Sequence, residues 1–225
     1  MINLHIGDLP SGVKLHGDLA IDTEAMGLQI KRDRLCLVQI CDERDNIHLV
    51  HFPKPKKSKN APELFNGIDT SIYNAPNLRE YLLDSDRQKI FHYARFDVAI
   101  LQHYLQIDEI PNIFCTKIAS KLARTYTDYH GLRNVVNELL NVELKKEQQS
   151  SNWGASVLTE AQKHYAKNDV IHLHALRDKL IEMLEASERY DLAQKYFDFI
   201  PTLCNADLMG FSGDGLFTHG FVRQS

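Results

Sequence analysis

An apolar stretch that ends in two closely spaced acids, residues 19–28, constrains the fold of this chain more than any other segment. Ala20 and Ile21 continue a strand-like apolar run, and Asp22 and Glu24 follow at positions i and i+2. A strand points two such side chains to the same face. Like charges this close repel, and one carboxyl becomes neutral unless a cation lies between them. The stretch therefore predicts either a divalent-metal site at a buried strand end or a strand that runs into a solvated acidic turn.

Length and composition indicate one domain, or one domain with an appendage, because 225 residues suffice for a full core. The proportions of 44% hydrophobic and 25% charged residues are those of an ordinary soluble globular protein. With a formal net charge of −4 and a pI near 6.2, the chain carries no global positive field. This balance argues against a large nucleic-acid footprint, but not against an enzyme whose metal ions hold the phosphate.

The cysteine pattern and the N-terminus predict a cytoplasmic protein. The four cysteines show neither C-x-x-C pairing nor zinc-ligand spacing, so we expect reduced thiols that fill the core. They are Cys36, Cys41, Cys115 and Cys204. The N-terminus lacks the basic and apolar regions of a secretory signal, and no apolar run approaches the length of a membrane span. We therefore expect no membrane association.

Hydrophobic periodicity predicts an α/β chain. The predicted strands are a short N-terminal strand, the acidic strand that Gly27 ends, and segments 35–41, 47–50 and 89–92, with an antiparallel meander over the strands up to residue 50. The predicted helices are 76–83, 94–105, 117–126, 131–140, a longest helix over 159–188, and 190–199, which Pro201 ends. We expect one domain over 1–200 and a tail, 201–225, that is apolar and glycine-rich and docks on its own domain or on a neighbouring subunit.

Two acids and a tyrosine elsewhere in the chain are candidates to join the acidic strand end. Asp97 lies near the start of helix 94–105, although an acid there also simply stabilises a helix N-terminus. Tyr165 and Asp169 fall at i and i+4, so they share one helix face. Four acids at one site need cations to neutralise them, and two metal ions are a common device for in-line attack on a phosphodiester. Tyr165 would then hydrogen-bond and orient the attacking water.

Three blocks, 21–24, 91–97 and 165–170, resemble the three motifs of the DEDDy 3′–5′ exonucleases in the right order. The surrounding segments 114–121, 126–132 and 148–150 are similar to ribonuclease D-type enzymes, and the resemblance covers nearly the whole chain. Within that group the closest likeness is to the nanoRNase C type, which degrades very short RNAs. The family implies an α/β, ribonuclease H-like (DnaQ-like exonuclease) fold with a mixed sheet flanked by helices.

The resemblance also implies roles for individual residues. Asp22, Glu24 and Asp169 would hold one divalent ion, and Asp22 would bridge to a second. Asp97 would support the second ion, mainly through its water ligands. Together with Tyr165, these acids are the predicted catalytic set, and the two ions are Mg²⁺ or Mn²⁺.

Three residues are predicted to bind substrate. Leu28 looks like the leucine that wedges between terminal bases in related oligoribonucleases, although its place in a strand turn fits a core residue equally well. His92 and Phe96 belong to the second motif. Two departures from the family pattern bear on substrate length and base preference: Met26 replaces a more usual leucine or threonine, and Asn152 stands where an acid is common.

The implied function is a metal-dependent 3′–5′ exoribonuclease that hydrolyses short single-stranded RNA to nucleoside 5′-monophosphates, as a ring-shaped homo-oligomer, an octamer. One alternative is the same chemistry on longer RNA or on DNA, since the metals read the phosphate and only the groove around the sugar senses a 2′-OH. Another is a catalytically retired RNA-binding module. An unrelated α/β hydrolase is disfavoured because the chain lacks a G-x-S-x-G elbow.

Two further stretches have open interpretations. The basic segment 53–60, with Lys54, Lys56, Lys57 and Lys59, is either a solvated loop or a lip that contacts the phosphate backbone. Trp153 is the only tryptophan and closes a polar segment. Such a residue is more often a packing anchor than a platform for base stacking.

Overall fold

A mixed sheet of six strands forms the centre of this computed structural model, which describes residues 2–54, 70–144 and 151–211. The strands are β1 (Ile2–Ile6), β2 (Leu19–Ala25), β3 (Leu35–Asp42), β4 (Ile47–His51), β5 (Lys89–Phe91) and β6 (Ile113–Cys115). Their order across the sheet is β1-β4-β3-β2-β5-β6. The pairs β2/β3 and β3/β4 are antiparallel, which confirms the predicted meander. The pairs β1/β4, β2/β5 and β5/β6 are parallel.

The two central strands differ in how their residues are covered. Every residue of β3 is buried, as expected for an apolar strand with both faces covered. In β2 the first three residues are fully buried, and the acids follow at the more open end of the strand. This placement brings Asp22 and Glu24 to an edge of the core where a ligand has access.

Seven helices flank the sheet in the described part of the chain. They are α1 (Pro76–Leu83), α2 (Ala94–Leu105), α3 (Thr116–Ala123), α4 (Leu132–Leu140), α5 (Glu160–Val170), α6 (Leu173–Ala186) and α7 (Tyr190–Leu208). Helix α5 packs on β2, β3 and β4, whereas α2 packs on β3, β5, β6 and α7. Helices α3 and α4 contact the sheet less and pack mainly on α6. A mixed sheet flanked by helices is the architecture that the family resemblance implies, although β6 is not among the predicted strands.

The predicted helix over 159–188 is wrong, because it is two helices separated at Ile171 and His172. Helix α5 begins with a capping box in which Thr159 and Gln162 exchange hydrogen bonds. Val170 and Leu173 on either side of the break are both fully buried. The apolar periodicity therefore continues through the break, and the sequence pattern alone hides it.

The prediction that Pro201 ends the last helix is also wrong. Helix α7 is the longest helix described, with 19 residues, and it runs through Pro201 to Leu208. A proline inside a helix removes one hydrogen bond, and Pro201 and Cys204 are both buried in the core, which contributes favourably to this part of the helix. Beyond them, Asp207 accepts two hydrogen bonds from Arg95 at the start of α2, at 2.6 and 2.7 Å. The start of the predicted tail is thus helical, whereas residues 212–225 lie outside the described residues.

Smaller differences concern element ends. The helix predicted over 117–126 ends at Ala123, and the strand predicted over 89–92 ends at Phe91. The four cysteines are buried free thiols, which confirms their expected place in the core. In the ranges described, no helix has both the length and the apolar character needed to cross a membrane. Segments 55–60 and 148–150 lie outside the described residues, so the interpretation of the basic loop stays a prediction.

Candidate active site

Three acidic side chains from two elements meet at the open end of β2. Asp22 and Glu24 share one face of the strand, and Asp169 comes from the last turn of α5, which packs on that strand. One carboxylate oxygen from each residue lies within 4.8 Å of the others. Asp169, which is far from Asp22 and Glu24 in the sequence, is therefore adjacent to them in the structure. Their spacing suits a divalent cation, whose preferred ligands are carboxylate oxygens.

Asp97 comes from a third element and lines the same cavity as Asp22 and Glu24. It lies in the first turn of α2, is 4% exposed, and accepts a 2.6 Å hydrogen bond from the hydroxyl of Thr23. Thr23 lies between the two acids in β2 and points to the opposite face of the strand. Its hydroxyl therefore fixes Asp97 relative to Asp22 and Glu24 across the strand. Thr23 is not among the predicted site residues, although it lies inside the first motif.

Burial makes this cluster electrostatically unfavourable without a cation. It raises the pKa of Asp22 from 3.8 to about 7. Burial and the charge of Asp22 raise the pKa of Asp169 to about 9. For Glu24, burial and then the charges of Asp22, Asp169 and Asp97 raise the pKa to about 10. Burial and Asp22 also raise the pKa of Asp97 well above its usual value. A bound cation would reverse these shifts, because an opposite charge favours the ionised carboxylate.

Gln39 is a neighbour of the site that the sequence analysis did not single out. It lies opposite Asp22 in the β2/β3 register, and its side-chain amide donates a 3.3 Å hydrogen bond to an Asp22 oxygen. The residue is fully buried within a strand whose other inner positions are apolar. A single amide side chain within an apolar strand was the sequence signal that could have identified Gln39. Gln39 helps to orient Asp22 without adding charge.

Tyr165 lies on α5, beside the three acids. Burial, followed by the charges of Asp169, Glu24 and Asp22, raises the pKa of its phenol, so the hydroxyl is protonated at neutral pH. Its ring centroid lies 6.0 Å from that of Trp153. Trp153 is 2% exposed, which confirms it as a packing anchor. The tryptophan thus limits the positions that the tyrosine ring can adopt.

A cavity of about 470 Å³ opens beside the acids. Its lining residues include Asp22, Glu24, Asp97, Leu28, His92, Phe96 and Trp153. All three predicted substrate-binding residues therefore line the same cavity as three of the predicted metal ligands. Tyr165 and Asp169 are not among its lining residues, although Asp169 lies within 4.8 Å of Asp22 and Glu24.

The structure separates the two interpretations of Leu28. Its side chain is 84% exposed, so the interpretation as a core residue is wrong. His92 has the opposite character: burial and the charge of Lys117 lower its pKa to about 3. The hydroxyl of Thr116 donates to the Phe91 carbonyl at 3.1 Å and lies 2.8 Å from Nδ1 of His92. His92 is therefore a neutral, fixed ring in the cavity wall.

The acidic cluster at the end of a central strand has the ligand types of a divalent-metal centre of the kind that nucleases use on phosphodiesters. A family model described as 3′–5′ exonuclease matches residues 7–185. The chain belongs to this 3′–5′ exonuclease family. It is 33% identical over 166 residues to DNA polymerase I of Aquifex aeolicus and 33% identical over 174 residues to ribonuclease D of Gluconacetobacter diazotrophicus. The matches cover 74% and 77% of this chain but only 24% and 39% of those longer proteins.

Solved structures match over almost the full length. Brucella melitensis NrnC bound to pGG has a TM-score of 0.82 at 41% identity, covering 97% of this chain and 98% of that one. The same protein with bound Mg²⁺ gives a TM-score of 0.81 at 40% identity, over 97% and 99% of the two chains. These findings confirm the ribonuclease H-like fold class and the resemblance to ribonuclease D-type and nanoRNase C-type enzymes.

We expect Asp169→Asn to stabilise the metal-free protein at neutral and alkaline pH. A carboxyl whose folded pKa lies above its unfolded value binds more protons when folded, so stability falls as pH rises from about 4 towards about 9. The amide removes that loss and should raise the free energy of unfolding by on the order of 1–3 kcal/mol at pH 8. Thermal melts in EDTA at pH 5 and pH 8 measure this difference.

The same melts with saturating Mg²⁺ provide the control. Wild type should gain stability from the ion, whereas Asp169→Asn should gain little. A variant that is less stable than wild type in EDTA at pH 8 would contradict the electrostatic account.

Proposed function

We propose that this protein is a metal-dependent 3′–5′ exoribonuclease that hydrolyses short single-stranded RNA, dinucleotides included, to nucleoside 5′-monophosphates. The observation that carries the proposal is the convergence of Asp22, Glu24 and Asp169 within 4.8 Å on the fold of the exonuclease family. Short substrates are supported by the likeness to NrnC, which was solved with pGG and matches over nearly the whole of both chains.

In this proposal the acids hold two divalent ions, Mg²⁺ or Mn²⁺. Asp22, Glu24 and Asp169 would hold the first, Asp22 would also contact the second, and Asp97 would support the second. Such ions supply Lewis acidity, which lowers the pKa of an attacking water and balances charge on the phosphate. The NrnC structure with bound Mg²⁺ supports this choice of ion.

The protein's own side chains position the reactants. The protonated hydroxyl of Tyr165 can hydrogen-bond a water next to the acids and hold its lone pair towards the phosphorus. The Thr23 hydroxyl and the Gln39 amide hold Asp97 and Asp22, so these carboxylates need little reorganisation during the reaction.

The cavity walls would bind the nucleotide itself. Leu28 and Phe96 present apolar surface to bases, and His92, being neutral, would serve as a hydrogen-bonding partner rather than as a cation. A cavity of about 470 Å³ suits one or two nucleotides rather than a duplex. These features support a short, single-stranded substrate.

Processing of longer RNA, or of DNA, is the second candidate. The likeness to ribonuclease D of Gluconacetobacter diazotrophicus favours it, at 33% identity. The proposal also includes action in the cytoplasm, which the buried free thiols support.

A time course with Mg²⁺ or Mn²⁺ tests the function. Purified protein is mixed with a 5′-labelled dinucleotide, a short oligomer and a long RNA, with a DNA oligomer in parallel. We expect the dinucleotide to disappear fastest. We also expect the rate of Asp22→Asn to be lower than that of wild type by on the order of 10³-fold or more on every substrate, because a metal ligand is lost. Shortening of only the long RNA would favour the second candidate, and binding without cleavage would favour a retired module.

Tyr165→Phe tests the water-orienting role. The ring and its contact with Trp153 remain, but the hydroxyl is lost, so kcat should fall about 10²-fold or more with little change in metal binding. Kinetics and Mg²⁺ titration calorimetry measure the two effects. An unchanged kcat would remove Tyr165 from the mechanism, and a parallel loss of Mg²⁺ affinity would indicate a structural role instead.

We further propose that the protein forms a homo-oligomeric ring, an octamer, and that its tail contributes to a subunit interface. The support is the apolar content of the tail, which includes Leu216, Phe217 and Phe221. Because α7 continues to Leu208, the informative deletion removes residues 212–225 and leaves the helix intact. Light scattering after gel filtration should show a lower mass for the truncated protein at equal concentration. An unchanged mass would contradict the role of the tail.

A further inference from the structure

The turn between β5 and α2 leads into the candidate active site through a strained backbone. Tyr93 has a left-handed conformation, with φ 76° and ψ 45°. A residue with a Cβ rarely adopts this conformation, and such strain persists only where the surrounding structure imposes it. Phe96 and Asp97 follow in the first turn of α2, and both line the catalytic cavity. Among the described residues no side chain caps the start of this helix, so its first turn depends on contacts with other elements.

Arg95, in the same turn, connects α2 with the last turn of α7. Its Nε and Nη2 atoms donate hydrogen bonds to the two carboxylate oxygens of Asp207, at 2.6 and 2.7 Å. The two side chains are only 24% and 22% exposed. A bidentate, charge-assisted pair of this kind fixes direction as well as distance. The main chain is held as well, because the Cys204 thiol donates to the Arg95 carbonyl oxygen at 3.3 Å.

This ion pair lies close to the catalytic cavity. Arg95 and Asp207 line a second cavity, of about 680 Å³, which adjoins the first. The residues common to both cavities include Leu28, Tyr93 and Phe96. Burial, followed by the charge of Asp207, raises the pKa of the Cys204 thiol to about 12, and the charges of Arg95 and Asp97 also act on that thiol. The ion pair and Asp97 are therefore neighbours of the same buried group.

We propose that Asp207 is a positioning residue for the exonuclease reaction: through Arg95 it holds the first turn of α2, so that Asp97 keeps the place from which it supports the second ion. The inference rests on the proposed exonuclease function. Misplacement of a group at a reacting centre by about 1 Å can lower the rate about 100-fold. Pairing with Asp207 also directs the positive charge of Arg95 towards α7 rather than towards the acids that would bind the cations.

The Mg²⁺ dependence of dinucleotide cleavage tests this role in the full-length protein. Asp207→Asn keeps the shape of the side chain but removes its charge, whereas Asp207→Glu keeps the charge. We expect Asp207→Asn to raise the Mg²⁺ concentration of half-maximal rate about fivefold and to lower kcat about tenfold. Asp207→Glu should stay within about threefold of wild type in both quantities. Wild-type values of both quantities in Asp207→Asn would overturn the proposal.

A double-mutant cycle shows whether Asp207 acts through Arg95. Asp207→Ala, Arg95→Ala and the double variant are compared by kcat at saturating Mg²⁺. If Arg95 carries the effect, kcat of the double variant should be within about twofold of that of Arg95→Ala, because the second substitution has no interaction left to remove. Losses that multiply would mean that the two side chains act independently, which would contradict the proposal.

Asp18→Asn is the matched control for a loss of stability. Asp18 pairs with Arg177 of α6 at 2.6 Å, and the two side chains are 29% and 13% exposed. It precedes the start of β2, whereas Asp22 and Glu24 lie further along that strand. We expect both Asn variants to have lower melting temperatures, but Asp18→Asn to keep its Mg²⁺ midpoint within about twofold of wild type. An equal shift of the Mg²⁺ midpoint in both variants would indicate general destabilisation and would reject the positioning role.

A binding measurement keeps failure of the proposed function distinct from failure of the positioning role. Calorimetric titration with Mg²⁺ in the absence of RNA reports metal affinity without turnover. Trp153 lines the catalytic cavity and is the only tryptophan, so its fluorescence gives a second readout of the same titration. If wild type cleaves no RNA, the function fails, yet a weaker Mg²⁺ affinity of Asp207→Asn than of Asp18→Asn would still support the positioning role. Equal Mg²⁺ affinities of wild type and Asp207→Asn would reject that role even when cleavage is normal.

Discussion

Repulsion among buried carboxylates is the constraint on which the rest of this structure depends. Three acids lie within 4.8 Å of one another, and burial alone raises the pKa of Asp22 to about 7. Without a bound cation, amides or apolar residues at these positions would make the folded protein more stable. Their presence at the end of a central strand therefore has a functional explanation: the cluster is stable as a charged site only when cations are bound.

Buried contacts around the acidic cluster fix the positions of Tyr165 and Asp169. Arg34, almost completely buried, donates to the Phe52 carbonyl at 2.7 Å and to the Gly154 carbonyl at 3.0 Å. It thereby connects the start of β3 with the segment that precedes α5. That segment carries Trp153, which packs against Tyr165. Rigid elements and buried hydrogen bonds thus position Tyr165 and Asp169, in keeping with the need for preorganised groups at a catalytic site.

Much of this architecture follows from local sequence patterns. The apolar run of β3 and the i, i+2 spacing of Asp22 and Glu24 indicate the meander and the shared strand face, and the helical spacing of Tyr165 and Asp169 indicates their common face. What local patterns cannot contain is tertiary contact. Pro201 favours a helix end when only the local sequence is considered, but in this fold it is buried inside α7, which continues to Leu208. The break between α5 and α6 is hidden for the related reason that buried residues continue on both sides.

At the site, side-chain exposure also depends on tertiary contacts, which local sequence patterns do not contain. A leucine in a strand turn is compatible with core or surface, and only the packing around it shows that Leu28 is exposed. Thr23 and Gln39 are ordinary strand residues by sequence, and they acquire a role only because the sheet register and α2 bring acids within 3.3 Å of them. The residues that carry charge were predictable because charge in an apolar strand is costly. Those that orient the charge were not, since a hydroxyl or an amide in a strand has many uses.

The acidic centre also limits where the protein can attract a polyanion. With cations bound, the cavity favours the scissile phosphate, but the remaining phosphates of a longer strand meet a chain of net negative charge. The length of strand that is bound then depends on the charged side chains near the cavity. Lys117 on α3 lies beside the cavity wall, with its ammonium 4.0 Å from the centre of the Tyr93 ring. Attraction of phosphate therefore depends on cations at the acidic cluster, and added salt should weaken the hold on phosphates farther along a strand without changing the chemistry.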